Sequence, residues 1–263
     1  MLQAILRKPG SFVLRQCTLI SDIAVIFWKI SHGFRTLFRP AGIRIFLRQV
    51  YFTSVQPVSM VVAVAFVVGA VIVHYVVHFF TVLGAHEEIG GFIILIIVNE
   101  LSSVFIAILV MIRSGSAVIS EIALMKLNRE LDTLRSLGID MYDYLFFPRF
   151  AAMIVSNVLL AVLFCSVALL GGFIAFGYLN NVSFYDYIEK MAGSAVIMDF
   201  VTVYVKSFVF GHIIALIAIR DGLSVEHSIS EVPVYLIHGL VTQMMLIVTF
   251  DLLYDMIRYA NFI

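Results

Sequence analysis

The chain has 263 residues, of which 62% are hydrophobic and only 13% charged, with a mean hydropathy of +1.06. A soluble domain of this length carries about 25% charged residues, so the excess apolar content belongs to several membrane spans rather than to one large core. Seventeen basic and seventeen acidic residues cancel, which excludes a strongly basic nucleic-acid binder; the two cysteines, Cys17 and Cys165, fall at different expected depths and imply no disulfide.

Residues 1–50 are mixed basic and apolar. Within ISDIAVIFWKISHGFRTLF, Ile20, Ile23, Ile26, Phe27 and Ile30 recur near helical spacing beside Lys29 and Arg35. This pattern predicts an amphipathic helix lying in the membrane interface. No long apolar run with a small-residue cleavage site opens the chain, so no signal peptide is expected. No G-x-x-x-x-G-K-[ST] pattern occurs, so any use of ATP requires another chain.

Five apolar runs follow, at about 54–83, 91–113, 148–178, 198–219 and 233–257. Each reaches the roughly 20 residues a helix needs to cross a bilayer. The expected fold is therefore an all-α polytopic membrane protein, with an interfacial segment over 1–50 and a membrane-spanning body over 51–263. Basic residues set the orientation. Arg7, Lys8, Arg15, Lys29, Arg35, Arg39, Arg44 and Arg48 precede span one, and Arg113, Lys126, Arg129, Arg135 and Arg149 lie between spans two and three. The opposite side carries Lys190 and Arg258. The N-terminus is expected to be cytoplasmic and the C-terminus outside.

Two connections are more than loops. Residues 115–138 read as one cytoplasmic amphipathic helix with an apolar stripe of Ile122, Met125, Leu127, Leu131, Leu134 and Leu137, capped by Gly138. The stripe is too short to span, so it either meets a partner, with Glu121, Glu130 and Asp132 facing basic groups on it, or packs back on its own bundle. Residues 183–196 read as a short external helix started by Ser183, and Pro148 marks a helix start.

The candidate functional residues are charges placed where lipid should be. Glu100 lies in FIILIIVNELSSVFIAILVMI, Lys206 in VTVYVKSFVFGHIIALIAI and Asp251 in LVTQMMLIVTFDLLYDMI. A charge at bilayer depth costs roughly 2.5–3.5 kcal/mol on insertion scales, so it usually faces a partner or a water-filled path. At 1.5 Å per residue the three sit roughly 14, 12 and 9 Å below the outer end of their spans. Similar depth allows a contact across three helices. Asp255, one turn beyond Asp251, reads as interfacial and solvated. His74 and His78 share a helix face but lack the acid of a zinc-protease helix, and no metal site is expected. Tyr75, Phe79, Phe80, Met244 and Met245 read either as adaptable apolar surface for acyl chains or as ordinary lipid-facing and packing residues.

The segment from Glu100 to Phe150 runs NEL, IRSGSAVISEIALMKLNRELDTLRSLGID and FPRF. It resembles the MlaE-type permeases, membrane subunits of MCE-linked lipid ABC transporters. The matching residues are Glu100, Arg113, Gly115, Ser116, Ala117, Glu121, Ile122, Met125, Glu130, Gly138, Asp140, Pro148 and Arg149. RQVYFTSV, the pair Gly171–Gly172, VKSFVFG and the placement of Asp251 extend it over residues 40 to 257. Asn99 stands where the family often has an arginine, and Ser102 where glycine is common.

The resemblance implies a homodimer in the inner membrane of a diderm bacterium. It implies a cytoplasmic ABC ATPase that carries ATP and Mg and is met through Glu121, Met125, Glu130, Leu131 and Leu134, while this chain itself holds no cofactor. It implies a periplasmic MCE-domain protein, and a phospholipid pocket between copies lined by Ile72, Tyr75, Val76, Phe79, Phe80, Met244 and Val248. Moving phospholipid between the inner membrane and the MCE protein would maintain outer-membrane asymmetry. Two other readings remain at this point: an ion-coupled secondary transporter relaying through the buried charges, and a scaffold that only anchors an MCE protein.

Overall fold

The computed structural model describes residues 21–33, 40–85, 87–177 and 183–260. Arg7, Lys8, Arg15, Cys17, Ile20, Arg35, Arg39 and His86 lie outside the described residues. Among the described residues there is no strand. Five helical runs are long and apolar enough to cross a membrane: Gly42–Leu83, Ile89–Leu127, Tyr142–Ala175, Ile197–Ser224 and Ile229–Arg258. These are spans one to five below.

The first two spans are longer than the apolar runs predict, and each extension has a local cause. Helix α1 covers 21–31, and α2 covers Pro40–Val50. It passes through a wide-turned segment, Tyr51–Val55, into α3, Val58–Leu83. Pro57 immediately precedes α3, where the missing N–H breaks no helical bond. In span two, α4 (Ile89–Ile93), a wide-turned stretch Ile94–Leu101, α5 (Ser102–Val110), a second such stretch Met111–Gly115 and α6 (Ser116–Leu127) form one path. Hydropathy ends span two at Arg113 and starts a separate helix at 115, yet Gly115 is helical and faces Gln243 and Ile214.

The helix expected over 115–138 is therefore two elements. Asn128 and Arg129 break it, Arg129 at φ 59°, and α7 resumes at Glu130–Ser136. Gly138 closes α7 at φ 72°, its N–H bonded to Arg135 O at 3.0 Å, the left-handed cap that glycine adopts without a Cβ penalty. The stripe also turns inward more than expected. Ile122 and Leu131 are buried in the bundle's own core, Met125 packs against it, and Leu137 is exposed.

Span three opens with a wide-turned segment, Tyr142–Phe146, and continues as α8, Phe147–Phe176. It lies against α3 through small residues. A Cβ at Gly69 would overlap the Ala168 backbone, one at Gly171 the Phe66 backbone, and one at Gly172 the Val73 side chain. Small residues let helix backbones approach closely where no hydrophobic effect drives them together. Gly171→Val is expected to lower thermal stability in detergent, by more than the 1–3 kcal/mol typical of overpacking because the clash is with backbone; an unchanged melting temperature would refute this contact.

Short helix α9, Phe184–Ser194, begins with Ser183 Oγ accepting from Tyr185 N at 3.3 Å. Tyr187 anchors it, donating to Leu169 O at 3.1 Å, and burial pushes the phenol pKa up to about 12. Helix α10, Ile197–Ser224, runs through the middle of the bundle between α8, α5, α6 and α11. Helix α11, Val232–Ala260, packs on α10 and α6. The apolar window of span five is only 17% buried, against 56% for spans two and four, so one long face of α11 is left for lipid or another chain.

Candidate functional site

Spans two, four and five converge on one ammonium. Lys206 Nζ lies 3.2 Å from Glu100 Oε2, 2.9 Å from Asp251 Oδ1 and 2.8 Å from Asp255 Oδ1. The lysine is fully buried, whereas the side chains of Glu100, Asp251 and Asp255 keep 33%, 17% and 22% of their exposure. The carboxylates thus present the outward side of the cluster. Their oxygens come within 4.8 Å of one another, and the ammonium sits where a cation would. The ring of Tyr254 adds a face 5.6 Å from Nζ, a geometry that stabilises a cation.

Helical periodicity explains how the residues gather. Glu100 belongs to the wide-turned stretch Ile94–Leu101; such turns are frequent at functional sites. On α11, Asp251 and Asp255 are four apart and so share a face. Asp255 is therefore a cluster member rather than a solvated interfacial acid. Its signal was that four-residue spacing, masked in sequence because span five seemed to end there.

A second polar tier, absent from the sequence reading, adjoins the first. Asp199 Oδ1 accepts from Asn99 Nδ2 at 2.9 Å and from Arg258 Nη2 at 2.6 Å, and its Oδ2 accepts from Val196 N at 2.8 Å. Between the tiers, Thr202 Oγ1 and Tyr254 OH are 3.2 Å apart. Beyond Lys206, Ser207 Oγ donates to Ser103 Oγ at 3.1 Å. Asp199, Thr202 and Lys206 follow one face of α10, and Asp251, Asp255 and Arg258 one face of α11. The result is a polar ladder inside an apolar bundle, with most rungs built from two or three helices.

The residues foreseen for ATPase coupling fall around a groove at the end of the bundle that carries Arg113, Lys126, Arg129 and Arg149. Glu121, Met125 and Glu130 line a cavity of about 640 Å³ together with Arg48, Phe52 and Arg149. Glu121 is not free there, since Arg149 Nη2 donates to it at 2.5 Å and Arg149 is itself buried. Leu131 is buried and Leu134 half-buried.

The foreseen lipid-pocket residues fall on two different helices. Ile72, Tyr75, Val76, Phe79 and Phe80 are on α3, which packs chiefly on α8, and Met244 and Val248 are on α11. Tyr75, Phe79, Met244 and Val248 are exposed, Ile72 and Val76 half-buried. Phe80 is buried, its ring 4.5 Å from that of Phe92.

The model of the family described as Permease MlaE matches residues 46–257. The chain belongs to the MlaE permease family. The match includes all four members of the Lys206 cluster and Glu121, Met125 and Glu130 of the groove. Named relatives agree. A probable ABC transporter permease protein of Rickettsia typhi is 27% identical over 183 residues, 70% of this chain and 71% of that one. One of Synechocystis is 33% identical over 172 residues, 65% of each chain. The chloroplastic protein trigalactosyldiacylglycerol 1 of Arabidopsis thaliana is 30% identical over 178 residues, 68% of this chain and 51% of that protein. This MlaE-family chain is a multi-pass transporter permease.

Proposed function

We propose that the chain is the membrane subunit of an ABC transporter that moves phospholipid between the inner membrane and a periplasmic MCE-domain protein. The observation that carries this is the family match over residues 46–257, joined to a charged cluster that a bilayer would not tolerate without a working or assembling role. A relative named for a galactolipid supports a lipid cargo. The basic end of the bundle faces the cytoplasm, following the excess of lysine and arginine there. A separate ATPase, with its ATP and Mg, docks on that end at the groove of Glu121, Met125 and Glu130. Two copies meet so that the apolar faces of α3 and α11 enclose the cargo.

The test is reconstitution of the permease with its cognate ATPase in phospholipid vesicles, and transfer of labelled phospholipid to the cognate MCE protein. Transfer should require hydrolysable ATP and be indifferent to an imposed proton or sodium gradient. Gradient-driven transfer without ATP would establish secondary transport instead. Complex assembly without any transfer would leave a scaffold.

A further inference from the structure

Helices α1 and α2 carry an exposed apolar face that the transport reading leaves unused. On α1, Ile26 and Ile30 are buried, while Val25 is exposed and Trp28 keeps 69% of its exposure. Phe27 lies against Phe150 of span three and His212 of span four, with ring centroids 6.3 and 6.5 Å away. Helix α1 is therefore held alongside the membrane-spanning helices, not below them. On α2, Ile43 and Leu47 are exposed; four apart, they form one stripe, which Tyr51 continues. Span one has 42 residues, about 63 Å of helix, longer than the roughly 40–45 Å of a whole bilayer. Its first part, α2, thus reaches the head groups or passes them. Trp and Tyr are the aromatic residues enriched at that level.

The same surface is basic. Lys29, Arg44 and Arg48 are exposed, and none of the three is ion-paired among the described residues. Lys29 Nζ lies 5.1 Å over the Tyr142 ring and the Arg48 guanidinium 5.7 Å over that of Phe52, contacts that leave the charge uncompensated. Asp22 is the one acid among residues 1–50, against eight Lys and Arg, and it faces Arg220 Nε at 3.6 Å. Asp140 and Asp143 share a cleft with Lys29, but so does Arg135, and Asp140 Oδ1 accepts from Tyr142 N at 2.8 Å. Arg48 also borders the groove of Glu121 and Glu130, which makes Lys29 and Arg44 the cleaner pair. Unmatched cations beside exposed apolar and aromatic side chains fit a partner that is negative at its surface and apolar beneath it.

We infer that α1 and α2 dock on acidic phospholipids of the leaflet at the basic end of the bundle. Val25, Trp28, Ile43 and Leu47 enter below the head groups, and Lys29 and Arg44 meet head-group phosphates. The ligand class is a lipid of net negative charge, because a zwitterionic lipid offers the same phosphate and cancels it with its own cation. Burial of the apolar face alone would be satisfied by any lipid; the unpaired cations add the selection.

Trp28 is the one tryptophan of the chain, so tryptophan fluorescence reports this face alone. The experiment places the full-length protein in mixed vesicles of phosphatidylglycerol and phosphatidylcholine, in which one lipid or the other carries brominated acyl chains. Brominated phosphatidylglycerol should quench Trp28 with a relative affinity at least about fivefold above that of brominated phosphatidylcholine, the contribution of a single basic residue near a negative surface. Salt at about 1 M, where the screening length falls to about 3 Å, should erase the preference, and so should Lys29→Gln/Arg44→Gln. Equal quenching by the two lipids, or a preference unchanged by salt or by the double variant, would overturn the proposal. Quenching by aqueous acrylamide and by neither lipid would also overturn it, and would assign the face to solvent or to a protein partner. The assay contains no ATPase and no MCE protein, so its failure leaves the transport reading untouched, and a failed transfer assay leaves this surface standing.

Discussion

Lys206→Met is expected to be the most damaging single substitution in the chain. Among the described residues it removes the one ammonium within ion-pair distance of Glu100, Asp251 and Asp255, and it leaves three acids in a membrane-embedded bundle. Breaking a buried charge pair by deleting one partner costs about 3–5 kcal/mol, because the other charge stays behind uncompensated. That is comparable with the whole stability of many domains, about 5–15 kcal/mol, so the variant should accumulate poorly in membranes and melt early in detergent. The argument also forecasts a rescue. Neutralising two acids as well, in Lys206→Met/Asp251→Asn/Asp255→Asn, removes most of the stranded charge and should recover much of the lost melting temperature. If the triple variant is as unstable as the single one, the lysine acts through packing and not through charge. If the triple variant is stable yet inactive in lipid transfer, the cluster has a role in the transport cycle beyond holding three helices together.

What could be read from sequence divides along a physical line. Glu100, Lys206 and Asp251 stood out because a charge inside an apolar run is conspicuous, and counting residues from the span ends placed them at one depth. Asp255, Asp199 and Arg258 sit where a run shades into polar residues, and there sequence does not distinguish a solvated end from a buried one. The spacing of Asp255 from Asp251 was a signal, but it is the tertiary partners that settle burial: Lys206 for Asp255, and Asn99 and Arg258 for Asp199. The five spans were legible from hydropathy and their ends were not. Hydropathy ends span two at Arg113, but packing of Val118, Ile119 and Ile122 into the core keeps the helix going to Leu127. Phe80 shows the converse: an aromatic assigned to a pocket by its position on α3 is buried against Phe92 in its own protomer.

Glu121 and Glu130 should respond differently to charge reversal, although sequence treats them as one acidic surface. Glu121 lies beside Arg149, whose guanidinium is buried and whose Nη1 has no hydrogen-bond partner among the described residues. Glu121→Arg would put two cations together at the start of α8, so it should lower the melting temperature as well as disturb the groove: the Glu121 side chain is 53% exposed, which holds its pairing to the roughly 0–1 kcal/mol of a surface ion pair, but Arg149 is buried and would face a like charge. Glu130 is exposed at the first turn of α7, with Asn128 Nδ2 at 3.3 Å its one described side-chain donor. Its reversal should lower the melting temperature by only a few degrees, since an acid in the first turn of a helix contributes about 0.3–1 kcal/mol. If the cognate ATPase docks on this groove, both variants should bind it more weakly, Glu130→Arg by about tenfold, the scale of one mispaired interface charge. Measuring thermal stability and ATPase association on the same preparations separates the two effects. Glu130→Arg that melts normally and co-purifies with undiminished ATPase would move the docking surface away from α7, towards the exposed end of α6 at Leu124.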